Sequence, residues 1–225
     1  MNKSKVFYTV LIILTVAIST IGATYAYFAF SVKTEDNSIS TSSGNYSLNL
    51  SVTPKYPDPE KGAFTLIPMK DELSEKAYVG YNNVPCIDKN NAAVCYVYEI
   101  VITDYNIDLD YVSGSINIET SNITNLSYRL YDENDNKMIL EKDEEGNDIY
   151  IKKVISQEEL SLGDSFPVKN KKKLVLNLMI WLSETGSSQN ETDIGTFKGN
   201  VTFYTGQGGK VTGKLSAAID GSYEG

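Results

Sequence analysis

Apolar and polar residues alternate along most of this chain after residue 45. Tyr46, Leu48, Leu50 and Val52 alternate with Ser47, Asn49 and Ser51, which puts apolar side chains on one face of an extended segment and polar ones on the other. From Cys95 to Thr103 the two faces carry Tyr96, Tyr98, Ile100 and Ile102 against Val97 and Val101. Both faces are largely apolar, which predicts a central strand. Further alternations run through Val112, Gly114, Ile116 and Ile118, then Leu126, Tyr128 and Leu130, followed by a hairpin-like excursion to Ile149 and Ile151. Leu174, Leu176, Leu178, Ile180 and Leu182 form the cleanest run, and Phe197–Thr205 and Val211–Ile219 complete about eight strands. Trp181 stands in the strongest of these strands and is expected in the core.

Short strands separated by polar turns predict an all-β fold, an antiparallel β-sandwich or barrel. Pro54, Pro57 and Pro59 break the pattern into a loop, with a short helix expected near Met69–Ala77. Ser156 and Glu159 match a capping box, predicting one helical turn between strands. The Ser-, Thr- and Asn-rich stretch Thr34–Gly44 reads as a linker.

The beginning of the chain follows another rule. Residues 6–32 carry no charge, after Lys3 and Lys5 and before Glu35 and Asp36. A lysine-bearing start, the apolar run Val10–Leu14 and small residues at Thr24 and Ala26 describe a secretory signal peptide cut between Ala26 and Tyr27. The alternative keeps the segment as a membrane anchor to about residue 32, since it exceeds the roughly 20 residues needed to span a bilayer. Its N-terminal lysines would stay in the cytoplasm. Either way the rest is extracellular or at the cell surface, with the signal peptidase or the membrane as its partner at export. The expected organisation is an export segment over 1–26, an extended segment over 27–45 and a sandwich domain over 46–225.

The formal charge is −9, and loss of Lys3 and Lys5 makes it two units more negative. Such a balance repels nucleic acid and keeps the surface solvated. In an exported chain the two cysteines, Cys86 and Cys95, read as a structural disulfide. Histidine is absent, which removes the usual zinc ligand and every histidine-based nucleophile arrangement. No cofactor and no enzymatic activity are expected.

Acidic residues crowd Asp132–Lys137 and Asp143–Asp148. Asp132, Asn134, Asn136 and Asp143 are of the oxygen-ligand type that calcium takes. An EF-hand loop would place glycine at 137 and glutamate at 143, where this chain has Lys137 and Asp143, so solvated turns are the plainer reading. Lys169–Lys173 is the one basic run and fits gatekeeping of the apolar strand behind it. Six N-x-[ST] sequons from Asn45 to Asn200 fit a chain rich in Asn, Ser and Thr.

The order Gly22-Ala23-Thr24-Tyr25-Ala26-Tyr27-Phe28, and later Ser43-Gly44-x-Tyr46-x-Leu48-x-Leu50, resembles the TasA/camelysin family of secreted Gram-positive proteins. The stretch Ile180-Trp181-Leu182-x-Glu184-x-Gly186, running on to Phe197-Lys198-Gly199, is similar to the closing region of related proteins. The resemblance implies a jelly-roll β-sandwich, a SipW-type signal peptidase and assembly into biofilm fibres by donation of an N-terminal strand. The zinc protease activity described for camelysin-type members does not transfer, because histidine and H-E-x-x-H are absent.

The expected function is therefore a non-enzymatic surface or biofilm-matrix protein that associates with copies of itself or with other matrix proteins. Tyr27, Phe28, Phe30 and Val32 form the candidate donor strand, whose main chain would add to an exposed sheet edge. The alternative is a membrane-anchored binding module for carbohydrate or protein that uses surface tyrosines and the Cys86–Cys95 loop.

Overall fold

The structure is a computed structural model and describes residues 39–220, apart from 44–45, 62–63, 105–108, 120–122, 155–157, 169–172, 187–188, 190–193 and 206–208. Ala26, Tyr27, Phe28, Phe30 and Val32, and with them the segment expected to direct export, lie outside the described residues. Among the described residues no helix is long and apolar enough to cross a membrane.

The strands are β1 Ile39–Ser43, β2 Tyr46–Tyr56, β3 Thr65–Leu66, β4 Pro68–Met69, β5 Tyr96–Asp104, β6 Tyr111–Ile118 and β7 Leu126–Asp132. They continue as β8 Glu141–Lys142, β9 Asp148–Ile149, β10 Lys152–Lys153, β11 Glu159–Pro167, β12 Leu174–Ser183, β13 Ile194–Thr205 and β14 Lys210–Asp220. A short helix, α1, spans Ser74–Val79.

Two sheets stack as the alternation requires. One runs β1-β2-β5-β12-β7-β10 with β4 against β12, and the other runs β11-β6-β13-β14-β3. All pairings among the long strands are antiparallel, giving the expected antiparallel β-sandwich. The order β2-β5-β12-β7 over β6-β13-β14, with β11 added beside β6, is the strand order of immunoglobulin-type sandwiches, in place of the jelly roll that the resemblance implies.

The inward faces meet in one core. Leu50, Ile100, Leu130, Leu178 and Ile180 face Ile116, Phe197, Val201, Phe203 and Val211, all essentially without exposure. Three tyrosines also lie inside, and each hydroxyl finds a main-chain acceptor. Tyr96 donates to Phe64 O at 2.6 Å, Tyr98 to Ser216 O at 2.7 Å and Tyr128 to Ser161 O at 3.0 Å. A buried phenol costs free energy unless its polar end is bonded, so these contacts are what admit tyrosine to the core. Burial pushes all three phenols above their ordinary range.

The other face of β12 is covered too. Val97, Tyr131, Met179 and Trp181 point away from the sandwich core and are buried under residues 67–95, against Ile67, Met69, Ala77, Val94 and the disulfide. This cap explains why β5 reads as apolar on both faces, and it buries β12, whose sequence reads as a clean alternation, on both faces as well. Cys86 and Cys95 are bonded as expected, and Trp181 is fully buried, in this second cluster.

Two expectations change. Glu159 opens β11 opposite Asn117 and belongs to no helical turn; pairing with β6 outweighs the local capping signal, which depends on Ser156 outside the described residues. Within the stretch expected as a linker, Ile39–Ser43 pairs antiparallel with β2 as strand β1, Ile39 standing opposite Leu50 and Ser43 opposite Tyr46.

Candidate functional site

The cap and the acidic hairpin meet over the outer face of the first sheet and leave a groove of about 360 Å³. Helix α1 supplies Glu75, Tyr78 and Val79 to one wall; Tyr131, Asp135, Lys137 and Tyr150 form the other. Tyr78 stacks on Tyr131 with ring centroids 3.8 Å apart and planes 18° off parallel. Lys137 Nζ lies 5.3 Å from the Tyr150 ring centre, a cation–π distance. Tyr78 donates its hydroxyl to Asp135 Oδ1 at 2.6 Å. That bond joins the cap to the hairpin turn.

Charge in the groove centres on Glu75. Lys137 Nζ approaches its Oε1 at 2.8 Å and Arg129 Nη1 at 3.3 Å. The Lys137 hydrogen bond, ahead of the Arg129 charge, holds the Glu75 carboxyl below its ordinary value. Burial, then the Asp135 hydrogen bond, pushes the Tyr78 phenol far up. Arg129, the chain's one arginine, is buried with its Nε unpartnered. Leu73, Val79, Tyr81 and Val84 expose large apolar side chains along the same cap, the kind of surface that takes part in contacts.

The outer face of the second sheet is polar. Glu159 accepts from Ser115 Oγ and from the Tyr204 hydroxyl, each at 2.5 Å, and these bonds, Ser115 first, hold its carboxyl low. Asn200 Nδ2 donates to Glu119 Oε1 at 2.6 Å, and Lys210 Nζ lies 5.5 Å from the Tyr204 ring centre. Glu75 and Glu159 are thus held as anions and act as hydrogen-bond acceptors rather than proton donors.

The acidic residues singled out for calcium have local work. Asp132 Oδ1 accepts the main-chain N–H of Asn134 and Asn136, and the Asn136 side chain bonds back to the same carboxylate. Asp143 repeats the arrangement with Glu145 and Asn147. The two aspartates therefore head two separate Asx-type turns, and no group of three or more metal-ligating side chains of the His, Cys, Asp or Glu type occurs among the described residues. The sequence reading missed Tyr78, Glu75 and Arg129; the single arginine inside an apolar alternation was the available signal.

The sheet edges bear on strand addition. On its outer side β14 is paired by β3 only at Ala218 and Ile219, while β13 pairs with it from Lys210 to Asp220. Val211–Leu215 thus lie at an edge of the second sheet among the described residues.

No family model and no curated protein matches the chain, so the TasA/camelysin resemblance rests on the residues quoted above. Several solved structures share parts of its form. The major pilin subunit BcpA of Bacillus cereus is 11% identical, with a TM-score of 0.39 over 78% of this chain and 41% of that one. A DUF4466 family protein from Parabacteroides merdae is 9% identical, with a TM-score of 0.36 over 78% and 44%. The CooA pilin subunit of enterotoxigenic Escherichia coli is 9% identical, with a TM-score of 0.32 over 76% and 97%. The chain spans less than half the length of the first two. Likenesses this loose carry no argument about function.

Proposed function

We propose that this is an exported, non-enzymatic surface or matrix protein whose sandwich associates with further copies by strand addition. The observation that carries the reading is the β14 edge, which among the described residues is paired on its outer side only at Ala218 and Ile219, by β3. An extended segment laid along Val211–Leu215 gains main-chain hydrogen bonds while its alternate side chains fill the side of the sandwich. Tyr27–Val32 has the alternating apolar pattern such a donor needs. Removing residues 27–32 from the secreted protein abolishes assembly, followed by electron microscopy and light scattering; fibres that persist without them would sink the mechanism.

A second reading, a binding module for carbohydrate or protein, is favoured by the groove between Tyr78 and Tyr150. Aromatic rings beside charged and amide groups suit sugar or peptide contacts. Glycan-array binding that disappears in Tyr150→Ala while assembly is kept would select it over the first.

A further inference from the structure

Asn177 is the one polar side chain between Leu174 and Leu182, and it is 1% exposed. Its amide is held on two sides. Nδ2 donates to Asp135 Oδ1 at 3.2 Å and to Asp132 O at 3.4 Å, and Oδ1 accepts from Lys55 Nζ at 3.1 Å. Lys55 reaches it from β2, across the whole width of β5. The β2–β5 register shifts between Pro54 and Tyr56, so Lys55 sits in a bulge, a device that re-aims a side chain. Glu99, on β5 and directly opposite Asn177, has Oε2 3.8 Å from Lys55 Nζ. A primary amine, an immobilised carboxamide and a carboxylate thus meet across three adjacent strands.

We propose that Lys55 and Asn177 join in an intramolecular amide cross-link, with Glu99 carrying protons. The Glu99 carboxylate takes a proton from the Lys55 ammonium. The freed lone pair on Nζ forms a bond to Asn177 Cγ, and the carbonyl π pair moves onto Oδ1. When the C=O re-forms, the Cγ–Nδ2 bond breaks. Nζ gives up one further proton, and Nδ2 leaves with it and with the proton held by Glu99, as ammonium. One ammonium group and one carboxamide become one secondary amide and one ammonium ion, with no oxidant, reductant or other reactant. Holding amine and carbonyl in contact supplies the effective concentration that makes so slow a reaction accessible within a folded protein. The product bolts β2, the first long strand after the export segment, through to the centre of its sheet. The inference stands on this geometry alone and does not depend on self-association.

Mass spectrometry of the intact, purified chain after days in neutral buffer tests it. The expected result is a loss of about 17 Da, the mass of ammonia, with a protease-resistant branched peptide containing positions 55 and 177. Asn177 could also lose ammonia by attack of its own main chain, so Lys55→Arg, which keeps the charge and removes the nucleophile, is the deciding comparison. It retains the full mass, and Glu99→Gln slows the loss at least tenfold. A wild-type mass that stays at the uncross-linked value, or a loss that persists unchanged in Lys55→Arg, overturns the proposal.

Discussion

Trp181 Nε1 donates to Asp71 Oδ1 at 2.8 Å, and the same oxygen accepts from Ser183 Oγ at 2.6 Å. One carboxylate oxygen from the cap therefore satisfies two donors on the buried outer face of β12. Replacing Asp71 by alanine leaves both without that acceptor and should cost about 1–3 kcal/mol, the usual penalty for stranded buried donors. Urea unfolding followed by Trp181 fluorescence measures it. Asp71→Asn, which keeps an acceptor oxygen, should lose less.

The disulfide closes the cap over the same face. Cys86→Ser with Cys95→Ser should lower stability by about 2–3 kcal/mol on the chain-entropy account. Tryptophan emission should shift to the red while far-UV circular dichroism changes little, because the sandwich core lies on the other side of the sheet. Loss of the β signal together with the tryptophan shift would show that cap and sandwich unfold as one unit.

Glu75 links stability to pH. Its carboxyl is held below the ordinary value of 4.5, first by the Lys137 hydrogen bond. A depressed folded-state value stabilises above the unfolded value, and that contribution fades as pH falls through the folded one. Thermal stability should therefore decline below pH 4.5 more steeply in the wild type than in Glu75→Gln. The window closes once pH lies below the folded value. Equal slopes in the two proteins would exclude Glu75 as a contributor.

Arg129 gives an ordering. Glu75→Ala removes the carboxylate from a buried guanidinium, whereas Arg129→Met removes the charge together with its unpartnered Nε. The glutamate substitution should destabilise more, because an unpaired buried charge costs more than an apolar replacement of similar volume. Chemical denaturation of both variants in parallel decides it.

Gly80 and Gly146 both have positive φ, at 81° and 87°. A Cβ on Gly80 would stand 1.7 Å from Val84 O, while one on Gly146 meets nothing within 4 Å. Gly146→Ala should cost about 1 kcal/mol for its backbone conformation alone. Gly80→Ala should cost clearly more, since the Tyr81–Val84 turn closes against it, and comparison of the two melting temperatures checks the difference.

The strands were legible because a pleated chain with one face in the core buries every second residue, as Leu48, Leu50 and Val52 are buried beside the half-exposed Asn49 and Ser51. The disulfide was legible because so short a separation, in a chain whose beginning reads as an export signal, leaves two cysteines one obvious partner each. Glu159 misled for the opposite reason. Its capping signal is local and worth little, whereas pairing of β6 with β11 on one side and β13 on the other brings Ser115 and Tyr204 to its carboxylate from distant parts of the chain.

Period-2 alternation settles which residues face inward, because side-chain direction is a property of the strand itself. It is silent about neighbours. Tyr78 on Tyr131, Arg129 under Glu75 and Lys55 against Asn177 depend on strand order, on one bulge and on the way the cap lies over the sheet. These are set by packing among segments up to 122 positions apart, and that long-range packing, absent from any local pattern, is where the groove and the Lys55–Asn177 contact come from.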